Sequence, residues 1–173
     1  MVTKPKIWVF YGRSGAGKNY CAFTMKEFER KKYVLSYTTR PKRPNEEDGV
    51  DYYFQDVPED KTIMIQNEYN GWKYTTCYED LAEDNVLIVG FQALAQLEKL
   101  RKQGKIDVRW CHVVADEQIR EKRVLSRGGA DSWRRRRQAD HDDIMKCWLP
   151  QPDFIIDNNK KKPKIRKAIY NNI

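Results

Sequence analysis

The chain has 173 residues, of which 40% are hydrophobic and 34% are charged, and its formal net charge is +8. This length is enough for one domain with a hydrophobic core, and the composition excludes a disordered chain. No apolar run approaches the roughly 18 residues that a membrane-spanning helix needs. The short apolar run near the start is typical of a strand rather than of a secretion signal.

The hydrophobic pattern predicts strands that alternate with helices along the chain. A buried strand at 6–12 is followed by a helix at 18–32, whose apolar residues recur at helical spacing. A second strand is predicted at 33–39. The remaining predicted elements are strands at 85–90, 108–114 and 153–157, helices at 92–104, 117–127 and 134–148, and a Lys-rich helix at 163–170. Gly104 is predicted to close the second helix and Asp116 to cap the third.

This alternation indicates an α/β fold around a largely parallel sheet, interrupted by two polar inserts. The first insert, at about 36–84, contains two strand candidates, "DYYFQ" and "TIMIQ", and a short helix near 78–84. The second insert begins at "GGADSW", which is predicted to break the helical pattern. The "KKKPK" run at 160–164 is interpreted as a solvated turn.

Cysteine spacing and net charge limit the possible function classes. The four cysteines show no metal-type spacing, so we expect reduced, mostly buried thiols in a cytoplasmic protein. A net charge of +8 is compatible with nucleic acid, with a phosphate-rich small ligand or with a solvated basic surface. No recognition-helix pattern or aromatic ladder favours nucleic acid. The cysteines are Cys21, Cys77, Cys111 and Cys147.

Residues 12–19 read "GRSGAGKN", one letter away from the phosphate-binding pattern G-x-x-x-x-G-K-[ST]. A strand precedes the segment and a helix follows it, which is the context that gives this pattern a mechanism. Glycines permit close approach of the backbone, the N–H groups point at a β-phosphate, and Lys18 can bridge the transferred phosphoryl group. The predicted ATP-binding residues of the loop are Gly12, Arg13, Ser14, Gly15, Ala16, Gly17, Lys18 and Asn19.

Asn19 stands where a hydroxyl that binds Mg²⁺ is expected. An amide carbonyl is also a hard oxygen donor, so Asn19 is a candidate magnesium ligand, with the phosphates supplying most of the coordination.

A second phosphate site is predicted in "SYTTRPKRPNEEDGVDYYF" (36–54). Arg40 and Arg43 lie near each other on a turn stiffened by two prolines, and Tyr52 follows. Guanidinium groups with a phenol hydroxyl suit a phosphate monoester. The segment "NGWKYTT" (70–76) adds another Tyr and two hydroxyls. The alternative is a surface loop with incidental charges.

With both segments considered, the chain resembles the guanylate kinase family of P-loop nucleoside monophosphate kinases, from residue 7 to about 158. "GRSGAGKN" is similar to the family's ATP loop, and "S-x-T-T-R-x-x-R" with "D-G-x-D-Y-x-F" is similar to its acceptor-phosphate segment. The resemblance implies a P-loop NTPase three-layer sandwich in a single domain. Its parts would be a core (1–35, 85–126 and 148–173), an NMP-binding region (about 36–84) and a lid (about 127–147).

The resemblance also implies roles for individual residues. "REKRVLSRGG" resembles a family segment that binds ATP, and in "SWRRRRQADHDD" Arg136 falls at the lid arginine, seven residues before Asp143. Lys18, Arg40 and Arg136 would be catalytic. Further ATP-binding residues would be Arg123, Arg127 and Asn158, and the monophosphate would be bound by Ser36, Arg40, Arg43, Tyr52, Tyr74 and, at the base, Thr76.

The resemblance fails where the family reads guanine. The Glu expected nine residues before Tyr74 is Ile65, and Glu68 reaches that place only with a gap. The family's Asp-Ile-Asp run reads "IVG" here, ending at Gly90. The guanine acceptors and a carboxylate close to the metal are therefore predicted to be missing, and strong guanine discrimination with them.

Three functions remain open from the sequence. The first is a nucleoside monophosphate kinase that uses ATP and Mg²⁺, has small-molecule nucleotide partners, and is a monomer or homodimer. The second is a ribose 1,5-bisphosphate kinase-like enzyme, since those relatives tolerate a non-hydroxyl residue after the loop lysine. The third is a non-catalytic guanylate-kinase-like binding module. His112 is interpreted as a core residue and His141 as a surface residue of the lid.

Overall fold

The computed structural model describes residues 4–69 and 71–159. The predicted helix at 163–170 and the run at 160–164 lie outside them. The strands are β1 (Lys6–Tyr11), β2 (Lys32–Tyr33), β3 (Tyr37–Thr38), β4 (Ile63–Tyr69), β5 (Trp72–Cys77), β6 (Asp84–Ile88), β7 (Asp107–Val114) and β8 (Phe154–Asp157). The α-helices are α1 (Lys18–Glu29), α2 (Leu94–Lys102) and α3 (Glu117–Lys146), with 3₁₀ turns at Tyr78–Asp80 and Phe91–Ala93.

Five strands form a parallel core sheet in the order β2-β6-β1-β7-β8. The α/β prediction is confirmed. Because all five strands run in one direction, their carboxyl ends meet at one edge, where ligands bind in open α/β sheets. The Gly-rich loop leaves β1 at this edge.

Side chains of β1 alternate between two hydrophobic clusters, one on each face of the sheet. Ile7 and Val9 belong to the cluster that contains Leu94 of α2. Phe10 belongs to the other cluster, with Met25 of α1. This period of two, with helices on both faces, gives the three-layer arrangement that the sequence predicts.

A second, antiparallel sheet in the order β3-β5-β4 forms the predicted insert. The single strand predicted at 33–39 is wrong: β2 pairs in the core sheet and β3 in the second sheet. Hydrophobic pattern cannot reveal this split, because both halves are partly buried against different partners. "TIMIQ" lies within β4 apart from its first residue, whereas "DYYFQ" forms only isolated bridges, among them Tyr37 with Tyr53.

The break predicted at "GGADSW" is a bend within a continuous helix. Glu117 Oε1 and Arg137 Nε lie 2.7 Å apart, although twenty residues of straight helix would separate them by about 30 Å. The axis of α3 therefore turns back on itself between a first arm (117–127) and a lid arm (134–146). Glycine disfavours a helix interior by only about 1 kcal/mol, and buried Trp133 packs under the Arg120 guanidinium across the bend, 5.5 Å from ring centroid to Cζ.

Of the two helix ends predicted from the sequence, one has the predicted geometry in the structure. Gly104 follows α2 with φ +73° and donates its N–H to Arg101, as predicted. Asp116 lies at the N-cap position of α3, but its side chain caps no N–H. Its Oδ1 instead accepts a hydrogen bond from Asn159 Nδ2 at 3.2 Å, which links the start of α3 to the segment after β8.

No described helix is long and apolar enough to cross a lipid bilayer. All four thiols are free; Cys21, Cys77 and Cys111 are buried and Cys147 is half-buried, as predicted.

Candidate active site

The phosphate loop, residues 12–18, connects β1 to α1 and fits tightly against the ends of β7 and β8. Gly12 and Gly17 have φ of +146° and +91°. A Cβ on Gly12 would lie 2.2 Å from the carbonyl oxygen of Val113, and one on Gly17 would lie 2.1 Å from Asn158 Nδ2. Only glycine fits at these two positions, so the loop conformation is set by packing before any ligand binds.

Lys18 lies in this loop with its charge poorly compensated. Its Nζ donates to the carbonyl oxygens of Gly12 at 2.8 Å and Arg13 at 3.3 Å. Loss of hydration lowers the pKa of Lys18 to about 8; Asp140 opposes this shift, and nearby arginines, chiefly Arg136, add to it. A bound anion would relieve this excess of positive charge. Gly17 caps α1 without a side-chain hydrogen bond, so first-turn N–H groups can face the same anion.

Two side chains predicted to bind ATP donate hydrogen bonds to backbone carbonyl oxygens of the phosphate loop. Asn158 is buried, and its Nδ2 donates to the carbonyl oxygen of Ala16 at 2.7 Å. Arg123 donates to the carbonyl oxygens of Gly15, Ala16 and Asn158. Asn19 lies exposed in the first turn of α1, and Arg13 and Arg127 are exposed as well.

Ser14, another predicted ATP-binding residue, is bound by the lid arm. Its N–H donates to Asp140 Oδ2 at 2.8 Å and its hydroxyl to Oδ1 at 3.1 Å. Asp140 is buried and lies 3.9 Å from Nη1 of Arg120. Asp140 was not among the residues predicted from the sequence. Its position four residues after Arg136, on the same helix face, is a signal that could have found it.

The acceptor site is built around Arg40, whose guanidinium is occupied by Glu46. Both Nη atoms donate to this carboxylate, at 2.9 and 2.8 Å, and the guanidinium lies 5.6 Å from the ring centroid of Tyr52. Burial disfavours the charge of Arg40, but the bonds to Glu46 outweigh it and raise its pKa. Burial likewise opposes the charge of Glu46, whose pKa is lowered by Arg40 and by the N–H of Arg43. Glu46 was also missed in the sequence.

Hydroxyl groups predicted to contact the monophosphate converge beside this ion pair. Ser36 Oγ and Thr76 Oγ1 lie 2.8 Å apart, so each can be donor or acceptor. The Tyr52 and Tyr74 rings meet edge to face at 5.8 Å. Burial, and then the neighbouring Tyr74, raise the pKa of Tyr52 to about 12, which keeps its phenol protonated as a hydrogen-bond donor.

Arg136 of the lid arm interacts electrostatically with cations of both sites. Burial lowers its pKa, and the next contribution is the positive charge of Arg43 in the acceptor site. Arg136 in turn helps to lower the pKa of Lys18 in the phosphate loop. Its Nε donates to Ser132 Oγ at 3.1 Å, on the preceding helical turn. Arg136 is therefore close enough to Lys18 and to Arg43 for their charges to affect one another's pKa.

The base-reading carboxylates of the family have no counterpart at the expected places. Ile65 is buried and lies opposite Thr76 in the β4–β5 register, while Glu68 is exposed opposite Lys73. Near Gly90, Gln92 Nε2 donates to Asp143 Oδ2 at 2.6 Å.

A magnesium ligand set of three or more His, Cys, Asp or Glu residues does not occur within 4–69 and 71–159. Asn19 can supply one amide oxygen at the mouth of the loop, which fits a Mg²⁺ ion that arrives with phosphates as its other ligands.

Comparisons with known proteins agree with this geometry. A guanylate kinase family model matches residues 4–162. The guanylate kinase of Zymomonas mobilis is 42% identical over 69 residues, 39% of this chain and 32% of that protein. The guanylate kinase of Hydrogenovibrio crunogenus is 34% identical over 107 residues, 54% of this chain and 52% of that protein. The aligned segments thus span from about a third to about half of these relatives.

A solved structure supports the fold. The crystal structure of guanylate kinase from Anaplasma phagocytophilum matches with a TM-score of 0.60 at 19% identity, over 95% of this chain and 80% of that chain. Since the family model covers nearly the whole sequence and the fold agrees, the chain belongs to the guanylate kinase family.

Proposed function

We propose that the protein transfers the γ-phosphoryl group of ATP to a nucleoside monophosphate: GMP, dGMP or another ribo- or deoxyribonucleotide. The proposal is supported by the two hydrogen bonds from Ser14 to Asp140, which hold the lid arm that carries Arg136 against the phosphate loop. The charge of Arg136 is also felt by Lys18 and is affected by Arg43 of the acceptor site, and such cations suit two phosphate groups approaching from opposite ends. Membership of a phosphotransferase family supports the same reaction.

Each of the two sites has a distinct task in the proposed reaction. The phosphate loop and Lys18 hold the donor phosphates, and Arg40, Arg43 and the tyrosines hold the acceptor phosphate. The acceptor oxygen is already ionised, so attack in line with the leaving oxygen needs no general base, and positioning with charge neutralisation supplies the catalysis. Mg²⁺ bound with ATP, with Asn19 as one ligand, would neutralise further phosphate charge.

We propose that the acceptor base is read weakly. Thr76, the hydroxyl expected at the base, has Ile65 beside it in the neighbouring strand where a carboxylate would be needed. A site built to hydrogen-bond a base can discriminate by about ten-thousandfold, and one that lacks the acceptor cannot. We therefore expect GMP to be turned over no more than about tenfold faster than the best other monophosphate.

Two other functions compete with this proposal. The missing carboxylates and Asn19 favour a ribose 1,5-bisphosphate kinase-like enzyme, whereas the tyrosine-lined acceptor site favours a nucleotide. A non-catalytic binding module would not need Lys18 and Arg136 to lie close together. We further propose a cytoplasmic protein that acts as a monomer or homodimer.

A coupled assay of ADP release tests the proposal, with ATP and Mg²⁺ against each NMP, each dNMP and ribose 1,5-bisphosphate. We expect turnover of nucleoside monophosphates. Faster turnover of ribose 1,5-bisphosphate than of every nucleotide would favour the first competitor. Absence of ADP release, together with no thermal shift at millimolar ATP, would favour the binding module.

A further inference from the structure

Asp140 joins the lid arm to the phosphate loop through a buried contact that nothing in the proposed reaction requires. The carboxylate accepts both the N–H and the hydroxyl of Ser14, 126 residues away in sequence. Asp140 is only 7% exposed. A buried carboxylate with two hydrogen bonds to one residue is a specific contact, since burying an unpaired charge would be strongly unfavourable.

Two further polar contacts hold the lid arm. Gln92 Nε2 donates to Asp143 Oδ2 at 2.6 Å, and Glu117 pairs with Arg137, whose side chains are 48% and 62% exposed. Exposed ion pairs contribute little to stability because water screens them. Of these three contacts, the one made by Asp140 is the one that joins the lid arm to the phosphate loop.

Arg120 offsets part of the negative charge of Asp140 beside the phosphate loop. Its guanidinium is buried, lies 3.9 Å from Asp140 and approaches the carbonyl oxygen of Ser14 at 3.5 Å. Asp140, Arg120 and Ser14 thus form a closed network in which the negative charge is balanced. The neighbouring Lys18 and Arg136 keep their positive charges available for the donor.

We propose that Asp140 is a positioning residue that couples docking of the lid arm to the order of the phosphate loop. It acts through Ser14 and Arg120 and touches neither substrate. While Asp140 is bound to Ser14, the lid arm that carries Arg136 is held against the phosphate loop before ATP enters, and the position of Ser14 in the loop is fixed. This inference rests on the proposed function for its effect on ATP, but the contact itself does not.

Substitutions at Asp140 separate hydrogen bonding from a general loss of structure. Asp140→Ala removes both acceptors. Asp140→Asn can still accept from the Ser14 N–H and donate to its hydroxyl, so it should restore part of the coupling. Asp131→Ala removes the same charge from an exposed position of α3 and serves as the matched control.

Calorimetric affinities for ATP and GMP provide the first readout. We expect Asp140→Ala to bind ATP about tenfold more weakly, the equivalent of one charged hydrogen bond, with GMP affinity unchanged. Asp140→Asn should lie between this variant and wild type. Equal losses for ATP and GMP would indicate a merely structural role and overturn the proposal.

Trypsin cleavage without nucleotide provides the second readout, because Arg134, Arg135 and Arg137 are exposed on the lid arm. We expect faster cleavage there in Asp140→Ala than in Asp131→Ala, and matching behaviour of these two variants in both assays would overturn the proposal. If wild type bound no ATP, the proposed function would fail, while the cleavage rates would still decide whether Asp140 docks the arm. Should Asp140→Ala not fold, Asp140→Asn and Ser14→Ala, which loses one of the two bonds, must show the faster cleavage.

Discussion

Arg40 and Glu46 form a two-bond ion pair within the acceptor site, with side chains only 10% and 15% exposed. The pair fixes the guanidinium plane over Tyr52 and Phe54, at 5.6 and 5.4 Å. An arginine held in this way presents a fixed charge to an acceptor phosphate at little further loss of side-chain entropy.

Removing the charge of Glu46 should therefore weaken acceptor binding. We expect Glu46→Gln to raise the KM for the monophosphate about tenfold and to destabilise the fold by about 1–3 kcal/mol, because Arg40 loses its charged partner. Initial rates with each substrate varied in turn, and urea unfolding, measure these effects. Glu47→Gln, at the exposed neighbouring position, should change neither. A larger rise in the KM for ATP than for the acceptor would contradict this role.

Lys18 is expected to be essential for turnover but not for folding. Lys18→Ala should lower kcat on the order of a hundred- to a thousandfold, because charge on the transferring group loses its closest cation. Circular dichroism should show an unchanged fold, since the loop is held independently by Asn158 and Arg123. Lys26→Ala, on the exposed side of α1, is the control, and wild-type rates in Lys18→Ala would refute the assignment.

Gly12 is expected to tolerate no side chain. Gly12→Ala would place a Cβ 2.2 Å from the Val113 carbonyl oxygen and should cost about 2–5 kcal/mol of unfolding free energy, with loss of ATP protection in a thermal melt. Gly49 also has a positive φ, +75°. A Cβ on Gly49, however, would have no atom within 4 Å beyond its chain neighbours. Gly49→Ala should therefore cost only the conformational strain, about 1–2 kcal/mol. Equal costs at both positions would show that close packing does not shape the loop.

Titration of His112 should lower the free energy of unfolding in mild acid. Burial, and then the charges of Arg13 and Lys18, lower its pKa below the ordinary value of about 6.5. As pH falls through 6.5, the unfolded chain takes up this proton before the folded chain does, so the contribution present at neutral pH is lost.

Urea unfolding at pH 7.5 and 5.5 measures this loss, with His112→Gln as the non-titrating reference. Wild type should lose more stability than the variant on acidification. An equal loss, or a smaller one, would mean that His112 takes up its proton as readily in the folded chain.

The fold could be predicted from sequence where local pattern decides structure, and the site only in part. A continuous apolar run identifies β1, and the Gly-rich turn after it identifies the phosphate loop. Asp140 escaped prediction because its partner Ser14 lies 126 residues away, and only tertiary folding brings the two together. Glu46 lies only six residues from Arg40, but the sequence does not show which of the neighbouring carboxylates turns toward the guanidinium. The bend of α3 escaped for a related reason: Gly128 and Gly129 indicate a break locally, while packing of Trp133 on Arg120 keeps the chain helical.

If two anionic groups are bound at opposite ends of one space, a single bisubstrate analogue should occupy both. Adenosine and guanosine joined by five phosphates can occupy both ends at once. Calorimetry should give one analogue per chain, bound at least about a hundredfold more tightly than ATP or GMP alone, because linking two modules removes most of the second association cost. An affinity no better than that of ATP, with GMP still binding alongside the analogue, would show that the donor and acceptor phosphates do not share one space.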